Sequence, residues 1–144
     1  MATASRERMI AAPQQKLWDV IEDPHHLPRW WPGVKRVESV QDERWTKVFL
    51  TKKGRPVRAD FHVLVSEPPQ RRCWEQEVAG TPFERVLGES ITDVLLSPVE
   101  GGTRVTISQS QRLRGYSRTG GFLLRRATRQ KLDEALDGLE RICV

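Results

Sequence analysis

The chain has 144 residues, 38% of them hydrophobic, with a formal net charge of +5 and a pI near 9.7. A chain of this length fits one domain with a sizeable core, and no apolar run approaches the roughly 18 residues needed to cross a bilayer, nor does the start show the apolar stretch of a secretory signal. A cytoplasmic protein without an integral membrane segment is therefore expected, and the scattering of arginines over many elements, without interleaved exposed aromatics, argues against nucleic acid as a partner.

Residues 5–11 read as an opening strand that stops at Ala12-Pro13. Pro13 suits the first position of a helix, where its missing N–H would have no intrahelical partner, and Leu17, Trp18 and Ile21 then share one helical face. Asp23-Pro24 ends that helix, because the residue before a proline is pushed out of the helical region, and Asp23 can cap a second short helix over about 24–30. Six strands follow at about 34–41, 44–52, 56–66, 71–79, 83–97 and 103–113. Asp42-Glu43, Lys53-Gly54, Pro68-Pro69-Gln70, Gly80-Thr81-Pro82 and Glu100-Gly101-Gly102 supply the turns. Val57, Ala59, Phe61, Val63 and Val65 alternate with mostly polar residues, Leu64 excepted, which marks one buried face. Between 83 and 97 two phases compete, Phe83/Arg85/Leu87 and Val94/Leu96, and a bulge near Gly88 would switch the inner face from one to the other.

One long helix closes the chain, from Ser117-Arg118-Thr119-Gly120-Gly121-Phe122 to Val144. Leu124, Thr128, Leu132, Ala135, Leu136, Leu139 and Ile142 recur at helical spacing and form a single apolar stripe. This helix must serve as the main cover of a large antiparallel sheet, and a sheet wrapped around one helix leaves space between them. Cys73 and Cys143 have no metal-ligand spacing, so buried free thiols are expected, with no metal and no cofactor.

Ile10, Ala12-Pro13, Leu17-Trp18, Ile21, Asp23-Pro24, Leu27, Pro28 and Trp30-Trp31-Pro32 resemble the opening of the polyketide cyclase/dehydrase-like branch of the START-related, helix-grip superfamily often called SRPBCC. Pro98 and Gly101-Gly102-Thr103-Arg104-Val105-Thr106, followed by the long helix, resemble its close. The resemblance covers nearly the whole chain. It implies an α+β helix-grip fold: a seven-stranded curved antiparallel sheet around a long C-terminal helix, two short helices after the first strand, and an apolar pocket between sheet and helix. Residues 1–144 would form a single START-like ligand-binding domain. Members include lipid carriers, plant ligand-binding proteins, polyketide aromatase/cyclases and quinone-pathway binding proteins, so the fold does not select an activity. Gly80-Thr81-Pro82-Phe83 is similar to the turn and strand start of the aromatase/cyclase subset, whereas His62 and Leu64 stand where that subset's Ser and Arg pair would be sought.

The candidate ligand-binding residues are Trp30, Trp31, Phe61, Trp74, Gln76, Phe83, Arg85, Gln109, Gln111 and Phe122. The rings either fill the core or face a ligand. Gln76, Arg85, Gln109 and Gln111 share strand faces with apolar residues, and each would cost about 1 to 3 kcal/mol if buried without a partner. They must pair with one another, with water, with a ligand, or with Glu75, Glu89 or Asp93 at the sheet edge. His25 and His26 are adjacent and point apart on a helix, His62 belongs to the outer face, and no catalytic triad, paired carboxylates or phosphate loop stands out. Arg118, Arg125, Arg126 and Arg129 crowd the start of the last helix and Asp133, Glu134, Asp137 and Glu140 its end, the reverse of what the helix dipole prefers. Pairs of Arg129 with Asp133 and Asp137 with Arg141 would recover part of this, and the arginines form either a solvated face or an anion site near the pocket mouth. The residues together point to binding of a mostly apolar small molecule, such as a polyketide, lipid or aromatic compound, by a monomer or homodimer. The alternative is a cyclase, aromatase or dehydratase in which Arg85 stabilises an oxyanion or enolate and Gln109 orients the substrate.

Overall fold

The structure, a computed structural model, describes residues 2–115 and 118–144, the side chains of Arg118 and Thr119 excepted. Strand β1 (Ala2–Ile10) leads to helix α1 (Gln14–Ile21), a 3-10 turn (Pro24–His26) and helix α2 (Leu27–Trp30). Strands β2 (Arg36–Gln41), β3 (Arg44–Leu50), β4 (Pro56–Glu67) and β5 (Arg71–Gln76) precede a second 3-10 turn (Pro82–Arg85). Strands β6 (Leu87–Val99) and β7 (Gly102–Leu113) then lead to helix α3 (Arg118–Cys143). The strands form one antiparallel sheet in the order β1-β7-β6-β5-β4-β3-β2, which is the α+β helix-grip arrangement.

Local chemistry accounts for most boundaries. Pro13 is the cap rather than the first helical residue: its ψ of 146° is extended, and α1 begins at Gln14. Asp23 caps the first 3-10 turn as expected, accepting the His25 N–H at 3.0 Å. At the other end of α1, the buried Arg72 guanidinium donates to the Glu22 carbonyl at 3.1 Å and to Ser66 Oγ at 2.9 Å, tying the helix to β4 and β5. Gly102 and Thr103 fix the end of β1. A side chain at Gly102 would meet the Ile10 carbonyl at 2.1 Å, and the Thr103 hydroxyl donates to the Ala12 carbonyl at 2.8 Å.

Helix α3 lies against β1, β7 and α2. Thr128, Leu132, Ala135, Leu136, Leu139 and Cys143 are buried, with Leu124 and Ile142 half-buried at the stripe's edges. The helix comes close to α2 at Gly138, where a Cβ would stand 2.5 Å from the Trp30 carbonyl oxygen. The charges of α3 find partners across the fold rather than along the helix. Asp133 pairs with Arg6 at 3.4 Å, while Arg8 reaches Asp137 at 2.5 Å and Glu140 at 3.8 Å. The expected pairs within the helix do not form among the described residues, and Arg141 instead donates to the Arg29 carbonyl at 3.2 Å. Ser117, the expected start of the closing segment, and the side chain of Arg118, one of the four clustered arginines, lie outside the described residues. Cys73 and Cys143 are free and buried. No helix among the described residues is long and apolar enough to cross a membrane.

Candidate functional site

The two-residue period of a strand decides which side chains meet in front of the sheet. On β3 it turns Trp45, Lys47 and Phe49 the same way, and register places Lys47 opposite Ala59 and Trp45 opposite Phe61 on β4. Phe61 in turn faces Gln76 on β5. On β7, Gln109 and Gln111 stand opposite Thr92 and Ser90 of β6. The β6 register shifts between Leu87 and Glu89, so Gly88 is the bulge. Leu87 and Ser90, three residues apart, thereby line the same cavity, which a regular strand would forbid.

These strands line a cavity of about 400 Å³ that lies between the sheet and α3 and opens to solvent. Trp31, Val34, Phe49, Ala59, Phe61, Phe83 and Leu87 make its apolar wall, and Lys47, Gln76, Ser90, Gln109, Gln111 and Lys131 supply the polar groups. Behind that wall the rings form a continuous cluster. Trp31 meets Trp30 edge-on at 5.5 Å and Trp74 at 6.1 Å, while Trp45 touches Trp74 at 5.8 Å and stacks on Phe61 at 6.0 Å. Such contacts fix ring orientation and keep the wall from collapsing inward.

Lys47 is the chemically unusual residue. It is only 6% exposed, and its Nζ sits 4.4 Å from the centre of the Phe61 ring, 4.6 Å from Trp31 and 6.0 Å from Trp74. Among the described residues no carboxylate pairs with it. Burial, reinforced by the charge of Lys131, pushes its ammonium down to about 7. Lys131 is also held below the ordinary lysine range by burial, with Glu134 acting the other way. Lys131 has ample accessible surface, although protein crowds its ammonium, and it is one of the residues that line the cavity. Two amide atoms lack partners as well. Gln109 donates Nε2 to Thr92 Oγ1 at 3.0 Å but leaves Oε1 unpaired, and Gln76 Nε2 is buried without an acceptor.

Residues 1–143 match the family described as polyketide cyclase / dehydrase and lipid transport. The chain belongs to that family. An uncharacterized protein of Mycobacterium tuberculosis is 25% identical over 136 residues, covering 92% of this chain and 78% of the relative. Among solved structures, a Chromobacterium violaceum protein superposes with a TM-score of 0.77 at 17% identity, covering 99% of this chain and 96% of the other. The di-domain aromatase/cyclase StfQ of the steffimycin biosynthetic pathway gives a TM-score of 0.80 at 13% identity, with 99% of this chain matching 50% of StfQ. At these identities the structural matches establish the helix-grip fold.

Of the candidates named from sequence, this polyketide cyclase-family chain brings Trp31, Phe61, Gln76, Phe83, Gln109 and Gln111 to the cavity. Trp30 and Trp74, 2% and 1% exposed, belong to the core behind it. Arg85 does not reach the cavity wall. The strand expected from residue 83 is instead a 3-10 turn, capped by Thr81 Oγ1 accepting from the Phe83 N–H at 3.3 Å, and this carries Arg85 out to solvent. Phe122 is 56% exposed and also off the wall, because two residues of helix rotate it roughly 200° from Leu124 on the buried stripe. Nor do Glu75, Glu89 or Asp93 satisfy the glutamines: they pair with His62 at 3.7 Å, Arg112 at 3.7 Å and Arg71 at 2.9 Å. Among the described residues, the cation that α3 contributes to the wall is Lys131 rather than Arg125. Lys47 and Lys131 were missed, although each carried a signal: Lys47 is in phase with Trp45 and Phe49, and Lys131 follows Leu124 by seven residues and Thr128 by three.

Proposed function

We propose that this protein binds a mostly apolar, ring-bearing small molecule in the cavity between β3–β7 and α3. The observation that carries the reading is the pairing of a rigid aromatic wall with buried polar atoms lacking partners, Gln76 Nε2 and Gln109 Oε1. A binding pocket has this composition, a predominantly apolar lining with a few polar groups that fix orientation. The cavity opens to solvent, so water fills it when no ligand does, and releasing that water from a mostly apolar wall favours binding. Native mass spectrometry of protein purified from its own host should show added mass. Nile red should brighten on binding, and Ala59→Phe, which places a ring into the wall, should weaken uptake about tenfold or more. Unchanged Nile red affinity in Ala59→Phe would place the dye elsewhere and remove this support.

A cyclase, aromatase or dehydratase acting in the same cavity is the second reading. Arg85 no longer supports it, whereas an amine near neutrality at Lys47 suits proton transfer. Incubation with a linear polyketide thioester should then yield a cyclised or dehydrated product, lost in Lys47→Met. Identical product profiles with and without the protein would exclude this reading for that substrate.

A further inference from the structure

We propose that the ligand carries an ionised acid group, a carboxylate or its chemical equivalent, on its apolar body, and that Lys47 receives it. This rests on the binding reading above and names the class of ligand. Among the described residues, Lys131 of α3 is the other charged group on the cavity wall; Gln76 of β5, Ser90 of β6 and Gln109 and Gln111 of β7 are neutral, and Glu134 acts on Lys131 from one turn along α3. A buried ammonium is ordinarily matched by a carboxylate. Lys47 has ring faces instead, which offer a quadrupole but no hydrogen-bond acceptor.

Packing does not explain the residue. A methionine would fill the same slot between Trp31 and Phe61 without the cost of burying a charge. An anionic oxygen from the ligand answers the amine's donors and relieves the repulsion between Lys47 and Lys131. Gln76, opposite Phe61 in the sheet register, lines the same wall with its Nε2 buried and unpaired, and a turn of the side chain brings that donor to the acid's second oxygen. Because burial and the charge of Lys131 hold Lys47 near 7, an anion beside it raises its affinity for protons, and binding takes up protons near neutral pH.

Isothermal titration calorimetry with 2-naphthoate and its neutral counterpart 2-naphthamide tests the assignment. Wild type should bind naphthoate about tenfold or more tighter than naphthamide near pH 6, with the advantage shrinking near pH 9 as Lys47 loses its proton. Naphthoate binding near pH 7 should show proton uptake when buffers of different ionisation enthalpy are compared. Lys47→Met should erase the preference. Equal affinities for the two probes, or a preference that Lys47→Met retains, would overturn the acid assignment and leave a cavity for neutral ligands. So would Nile red binding with no detectable naphthoate binding, whereas failure of all three probes would overturn the binding reading itself. Should Lys47→Met not fold, the pH dependence and proton uptake of wild type decide the matter.

Discussion

A lysine with its charge buried against Trp31 and Phe61 makes the folded state sensitive to pH in a defined direction. Its folded pKa of about 7 lies below the ordinary 10.5, so below about pH 7 both folded and unfolded chains carry the charge and the burial cost is present in full. Between those values the folded chain has shed a proton that the unfolded chain still holds, so the Lys47 contribution becomes steadily less unfavourable as pH rises. Urea unfolding of wild type and Lys47→Met isolates this residue from other titrating groups. Near pH 6 the variant should be more stable by about 1 to 4 kcal/mol, and the difference should shrink toward pH 10. A wild type more stable near pH 6, or a gap that ignores pH, would show that the charge is not buried as described. The alternation of β3 puts this residue in phase with Trp45 and Phe49, a signal that went unused in naming the candidate residues. Its consequence was not readable, because desolvation depends on rings from residues 31, 61 and 74, which only the folded sheet assembles.

At the scale of elements, the docking of α3 on α2 turns on Gly138. Replacing glycine by alanine within a helix normally gains about 1 kcal/mol of propensity. Here the new methyl would stand 2.5 Å from the Trp30 carbonyl oxygen and 2.6 Å from its Cα, backbone atoms that cannot rotate aside. Gly138→Ala should therefore lose a net 1 to 3 kcal/mol or so in chemical denaturation; a stabilised variant would contradict the close approach. The stripe that buries α3 was plain from spacing alone, as was the competition of phases that the Gly88 bulge resolves. Elements whose geometry depends on one capping side chain were less accessible. The turn at Pro82–Arg85 replaces a strand start because Thr81 holds the Phe83 N–H, and that reversal removes Arg85 from the site. The ion pairs of α3 were likewise hidden, since Arg6 and Arg8 are more than a hundred residues away in the chain and become neighbours only when β1 closes the sheet beside β7.

For the whole molecule, the sheet and α3 cannot pack flush along their full length. The helix rests on the β1 and β7 side and against α2, and β3, β4 and β5 stand off it with their rings braced against one another. The opening polypeptide motifs and the terminal stripe were enough to anticipate this layout and an interior pocket. They could not give its polar inventory, which depends on how seven strands are registered. A ligand that binds the folded chain alone must stabilise it, by about 2.7 kcal/mol at a free concentration one hundred times its Kd. Nile red at saturation should accordingly raise the thermal midpoint of wild type and leave that of Ala59→Phe nearly unmoved, measured by circular dichroism.

The most direct test is two-dimensional NMR of labelled protein titrated with Nile red. Binding in the cavity predicts saturable shifts concentrated on Trp31, Lys47, Ala59, Phe61, Gln76 and Gln109, with little change at Arg85 and His62. Saturable shifts confined to the outer face of the sheet or to the exposed residues of α3, with the cavity wall silent, would contradict the account.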